Sequence, residues 1–73
     1  GCGDYEGFKT ALAKKYNEIP SDYGVGGAYL IILFLSPENT FTIIARTGDG
    51  RACIIAAGFD WFKGKPIVKE KKT

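Results

Sequence analysis

The sequence predicts an α+β domain in which one N-terminal helix packs on a three-stranded antiparallel β-meander. Tyr5, Phe8, Leu12 and Tyr16 recur at spacings of three, four and four, which places them on one helical face. Three runs rich in β-branched and aromatic residues follow, Ala28–Leu35, Thr40–Thr47 and Arg51–Ala57. The segments between them, Ser36-Pro37-Glu38-Asn39 and Gly48-Asp49-Gly50, are short and full of turn formers, so consecutive strands must run antiparallel.

The helix has matching ends. Asp4 is placed to cap its N-terminus and Glu6 falls in the positive first turn, while Lys14 and Lys15 sit near the negative end. Gly7 costs about 1 kcal/mol relative to alanine inside a helix, and Pro20 bars extension past the following residues. From Asn17 to Gly27, the residues Pro20, Ser21, Asp22, Gly24, Gly26 and Gly27 predict a flexible loop. Its Gly24-Val25-Gly26-Gly27 is not a phosphate loop, because it leads into an apolar β run rather than a helix N-terminus.

Alternation along the strands assigns their faces. With Leu35 opposite Thr40, and Thr47 opposite Gly50 or Ala52, one face carries Leu30, Ile32, Phe34, Phe41, Ile43, Ala45, Ala52, Ile54 and Ala56. The other mixes Tyr29, Ile31, Leu33, Leu35, Ile44, Cys53 and Ile55 with Thr40, Thr42 and Arg46. Phe59, Trp61 and Phe62 form an aromatic cluster after Gly58. Residues 1–62 read as one domain and residues 63–73 as a Lys-rich, solvated tail.

Composition narrows the function classes. The chain has 73 residues, 45% of them hydrophobic and 25% charged, which is globular despite ten glycines and leaves room for a single core. The longest apolar run, Ala28–Leu35, is far short of the roughly 20 residues of a transmembrane helix. Five lysines against one glutamate give residues 63–73 a charge of +4, leaving −2 for residues 1–62. Arg46 and Arg51 are the only basic residues on the strands, so no nucleic-acid platform of interleaved aromatic and basic side chains is predicted. The chain has no histidine and no Cys-x-x-Cys pair, which argues against a metal site or a cofactor held through one, and against Ser-His-Asp or Cys-His catalysis. The carboxylates Asp4, Glu6, Glu18, Asp22, Glu38, Asp49 and Asp60 fall where caps, loops and turns are expected. No catalytic residue is assigned, and the protein is read as a non-enzyme.

The stretch from Gly50 to Trp61, Gly-Arg-Ala-Cys-Ile-Ile-Ala-Ala-Gly-Phe-Asp-Trp, follows Ser36-Pro37 and Thr40-Phe41-Thr42 and is preceded by an early Cys2 and by Leu12-Ala13-Lys14-Lys15-Tyr16. Together these resemble a family of small exported bacterial proteins of unknown function. The resemblance spans residues 2–61 and departs from the family at the Lys-rich end and at Ile19-Pro20 after Glu18. It implies export to the periplasm or beyond and a Cys2–Cys53 disulfide, and it brings no active site.

A disulfide also suits a chain too short to be stable on its core alone, since closing a loop of about fifty residues is worth about 4 kcal/mol. Two alternatives stand beside it: a pair of unpaired thiols, or an acylated Cys2 anchoring a lipoprotein. The start at Gly1-Cys2 and the lack of methionine suit a chain from which a leader has been cut. Cys53 alternates with Ile55 on the mixed face, so a bonded Cys2 is expected to draw the helix to that side. The apolar face would then be bare. Leu30, Ile32, Phe34, Ile43 and Ile54, with Phe59, Trp61 and Phe62, become the expected interaction surface for an unidentified protein partner or a second copy in a homodimer. The functional expectation is a non-enzymatic exported binding or structural module. The alternative is an inhibitor or accessory factor of an envelope enzyme, presenting the Asn17–Gly27 loop or the Phe59–Phe62 cluster.

Overall fold

The computed structural model describes residues 1–64; of the Lys-rich tail, residues 65–73 lie outside the described residues. A short strand β1 (Cys2–Asp4) leads into helix α1 (Tyr5–Tyr16), followed by β2 (Ile19–Gly26), β3 (Tyr29–Leu35), β4 (Phe41–Arg46) and β5 (Arg51–Gly58). The strands form one sheet in the order β1-β5-β4-β3-β2, with every neighbouring pair antiparallel. No helix among the described residues is long and apolar enough to cross a membrane.

The class is α+β, but the sheet has five strands rather than the three predicted. Both added strands are edges with little β signature. In β1 three residues suffice because the Ile54 N–H donates to the Gly1 carbonyl at 2.9 Å and the Tyr5 N–H donates to the Gly50 carbonyl at 2.9 Å. The predicted Asn17–Gly27 loop is largely β2. At the outer edge of a sheet Pro20 gives up no ladder bond that a neighbour needs, and a register shift between Pro20 and Asp22 absorbs the irregularity.

Helix α1 ends as its sequence predicts. The Asp4 carboxylate accepts from the Gly7 N–H at 3.0 Å, satisfying one of the free donors of the first turn. At the other end Asn17 adopts the left-handed conformation, φ 57°. The N–H groups of Asn17 and Glu18 there donate to the carbonyls of Ala13 and Leu12.

The hairpin registers decide which side chains meet α1. Leu35 pairs with Phe41, not Thr40. The loop of Pro37, Glu38 and Asn39 ends with Asn39 at φ 69°, and Ser36 closes it by donating its N–H to the Thr40 carbonyl at 3.0 Å. Such three-residue loops carry one left-handed residue, and the odd residue turns β4 over relative to the predicted register. The second hairpin repeats the effect: Arg46 pairs with Ala52, with Gly50 at φ 90°. Two one-residue slips cancel between β3 and β5, so Leu30, Ile32, Phe34, Ala52 and Ile54 do share a face, while β4 contributes Thr42, Ile44 and Arg46 to it in place of Phe41, Ile43 and Ala45.

That face lies under α1. Tyr5 and Leu12 from the helix form one core with Ile32, Phe34, Ile44 and Ala52, and Phe8, Leu30 and Ile54 pack against it. Phe34 is fully buried, its ring centroid 6.2 Å from that of Tyr5. The expectation of a bare apolar face bearing Phe34 is therefore corrected. The disulfide does not pull the helix to its own side, because Cys2 belongs to a strand: it pairs directly with Cys53 and both point away from α1. Between them and the helix, Gly3 faces Phe8, and a Cβ at Gly3 would stand 3.4 Å from that ring.

Candidate functional site

Helix α1 ends before it has covered the whole sheet. The β4–β5 ladder runs on past it to the Phe41–Gly58 pair, and the C-terminal turn of the helix, Glu18 just beyond it, the start of β4 and the end of β5 border a cleft of about 500 Å³. Leu12, Ile54 and Ala57 supply apolar walls, Thr40 and Thr42 supply hydroxyls, and Tyr16 and Phe59 stand at the rim. Both rim aromatics are exposed, Phe59 by 75%. The register shift opposite Ile43/Ile44 bulges β5 at Ile55, so Ala57 returns to the helix side opposite Thr42 and extends the floor of the cleft.

A buried carboxyl group belongs to this cleft. Glu18 is 2% exposed and lines it, and its Oε1 accepts a 2.7 Å hydrogen bond from the Thr42 hydroxyl. The backbone fixes Glu18 there through its N–H bond to the Leu12 carbonyl at 3.1 Å, which turns the chain immediately after the helix and aims the side chain under it. Burying a carboxyl group in such a setting is costly unless its oxygens are matched by donors. Among the described residues the Thr42 hydroxyl is its one hydrogen-bond partner.

The remaining polar features lie elsewhere. The Arg46 guanidinium sits over the Tyr5 ring, 4.4 Å from the centroid, a cation–π contact at the opposite end of α1. Burial, helped by Tyr23 and Glu6, pushes the Tyr5 hydroxyl above its usual pKa, with Arg46 working against the rise. In the β4–β5 turn Asp49 accepts from the Thr47 hydroxyl and from the Arg51 N–H, and these bonds hold its carboxyl below the usual range.

The residues expected to form an interaction surface are divided. Leu30, Ile32, Phe34 and Ile54 pack with the core under α1, and Ile43 points from the other face beside Leu33. Trp61 packs on Phe41, centroids 5.1 Å apart, and so covers part of the face opposite the helix. Phe59 and Phe62 are exposed. Of the eight, the cleft gathers Ile54 and Phe59 alone.

Sequence reasoning missed Glu18 and Thr42, which it placed in a solvated loop and on the mixed face. A signal existed: Thr42 alternates with Ile44, so any register that buries Ile44 buries the Thr42 hydroxyl and requires a partner for it. Cys2 and Cys53 are bonded, and neither described cysteine is free. The bridge and acylation of the Cys2 sulfur exclude one another. No protein-family model, curated protein or solved structure was found to match this chain.

Proposed function

We propose that this protein is a small exported binding module, without catalytic chemistry of its own, that holds a protein partner in the cleft between the end of α1 and the β4–β5 ladder. The observation that carries the reading is the cleft itself: apolar walls from Leu12, Ile54 and Ala57, few polar groups, and aromatic side chains exposed at its rim. That combination is what binding sites have, and exposed aromatics favour interfaces. Export to the periplasm or the exterior is supported by the Cys2–Cys53 bridge, since disulfides persist in oxidising compartments.

The test is retention from an envelope extract on the immobilised, oxidised protein, compared with Ala57→Trp, which fills the cleft, and Ile43→Ser, which alters the opposite face. A partner retained by the parent and by Ile43→Ser but lost with Ala57→Trp is the expected result. Retention that follows Ile43 and ignores Ala57 would move the site to the other face. Light scattering of the purified chain then decides whether the partner is a second copy.

A further inference from the structure

Glu18 is buried, and its Oε1 is held by Thr42 while its Oε2 is given no donor by the described residues. A half-satisfied buried carboxyl group costs free energy that an incoming donor recovers. The cleft reaches that group, and its walls are hydrocarbon. The geometry points to an alkylammonium ligand: an unbranched aliphatic stem lying along Leu12 and Ile54, with its terminal ammonium donating to Glu18 Oε2. This rests on the reading of the cleft as a binding site and names the chemistry of what enters it.

The pairing at Glu18 selects ammonium over guanidinium. A guanidinium binds a carboxylate best through both oxygens at once, as a planar fork, whereas an ammonium is a point charge that needs one. The Thr42 hydroxyl already occupies one lone pair of Oε1 and crowds a fork that must engage both oxygens, whereas Oε2 has no donor among the described residues. A single free oxygen at the floor of an apolar cleft therefore fits a lysine side chain or a small alkylamine, whose methylene stem buries well while its head stays charged. The walls discriminate against short polar cations and the floor against neutral alkyl chains.

The experiment is an amide-shift titration of the full-length, oxidised protein with butylammonium chloride, with a blocked Gly-Lys-Gly peptide, and with the butylguanidinium and 1-pentanol counterparts. Saturable shifts at Glu18, Thr42 and Ala57 are expected with the ammonium probes, weakened by about tenfold or more in Glu18→Gln through loss of a charge-assisted hydrogen bond. Butylguanidinium should bind more weakly than butylammonium to the unaltered protein, a comparison that stands even where Glu18→Gln unfolds. Response to the peptide alone assigns the source to a protein lysine, and response to the free amine alone assigns it to a small amine; both support the site. Repeating the titration with Lys65→Gln, Lys69→Gln, Lys71→Gln and Lys72→Gln together removes competition from the four lysines of residues 65–73. Cleft shifts with 1-pentanol that equal those with butylammonium, or guanidinium binding the tighter, would overturn the ammonium assignment while leaving a binding cleft in place. Absence of cleft shifts with every probe in both forms of the protein also overturns it. The binding-module reading fails separately, when Ala57→Trp leaves partner retention intact.

Discussion

Thr42 Oγ1 lies 2.7 Å from Glu18 Oε1 in a buried position, joining the middle strand β4 to the residue just past the helix C-cap. The bond spans 24 positions of sequence and fastens the end of α1 to the sheet. Replacing Thr42 with valine keeps the volume and removes the donor, leaving the carboxyl group without a hydrogen bond from the described residues. The expected loss is about 1–3 kcal/mol. Urea unfolding measures it, and in Thr42→Val combined with Glu18→Leu much of the loss should return, because no buried acceptor remains. An unchanged midpoint in the single variant would show that the pair is already solvated.

Phe34→Ala removes a ring with no exposed surface from the centre of the α1–sheet core. The cost expected for such a cavity is about 3–5 kcal/mol. Val25→Ala, at a position 83% exposed on β2, should stay within about 0.5 kcal/mol of the parent. Paired thermal or urea melts check both. Comparable losses at the two positions would mean that the helix does not cover the face that carries Phe34.

The helix was fully legible in the sequence, because an amphipathic spacing, an acidic N-cap and basic last-turn residues agree at every level. The strands β3, β4 and β5 were legible in extent to within a residue or so, since their β-branched runs are bounded by turn formers. Their register was not. It turns on Asn39 and Gly50 taking left-handed conformations, which shifts each turn by one residue from the predicted pairing and flips β4 alone. Edge strands β1 and β2 were invisible for a different reason: pairing along one side demands no alternating apolar face, and Pro20, Asp22 and Gly24 are tolerated there. The cleft depends on that register, because only the observed one brings Thr42 to Glu18.

Opening the Cys2–Cys53 bridge should act on both the unfolded chain and one sheet edge. The bonded residues are 51 apart in sequence, so releasing the loop is expected to cost about 4 kcal/mol. The strand it secures, β1, has three residues and positions the first turn of α1. Cys2→Ser with Cys53→Ser should therefore lower the melting temperature and speed exchange of the Ile54 and Tyr5 amides, which donate to Gly1 and Gly50. Unaltered exchange at Ile54 would show that β1 pairs without the bridge.

Asp49 contributes a pH dependence of definite sign. Its carboxyl pKa is lowered first by the Thr47 hydroxyl and then by the Arg51 N–H. A depressed folded-state value means that the contribution is complete above the ordinary carboxylate range and disappears as the pH falls through the lower folded value. Asp49→Asn should lie below the parent in stability at neutral pH, with the gap closing on acidification. Melting curves across that range test it, and a constant gap would assign the effect to hydrogen-bond geometry rather than to charge. The residue is fully exposed, so the slope should be shallow.

Gly58 is held to its small size by Phe41. A Cβ built at Gly58 would stand 3.0 Å from Phe41 Cε1 and 3.1 Å from Cζ, closer than carbon atoms settle without movement. The Phe41 ring in turn supports Trp61, whose backbone N–H donates to the Asn39 carbonyl at 2.9 Å. Gly58→Ala must therefore push the Phe41 ring, and Trp61 is the chain's single tryptophan, so the displacement has its own optical signal. A red-shifted, more quenchable emission is expected, with a stability loss of about 1–3 kcal/mol from overpacking. The double variant Gly58→Ala with Phe41→Leu makes room for the methyl group without restoring the aromatic stack. It should recover part of the stability while the emission stays shifted, because relief of the clash and support of Trp61 are separate contributions of one ring. Recovery of both signals together would mean that the indole is held by its backbone bond to Asn39 alone.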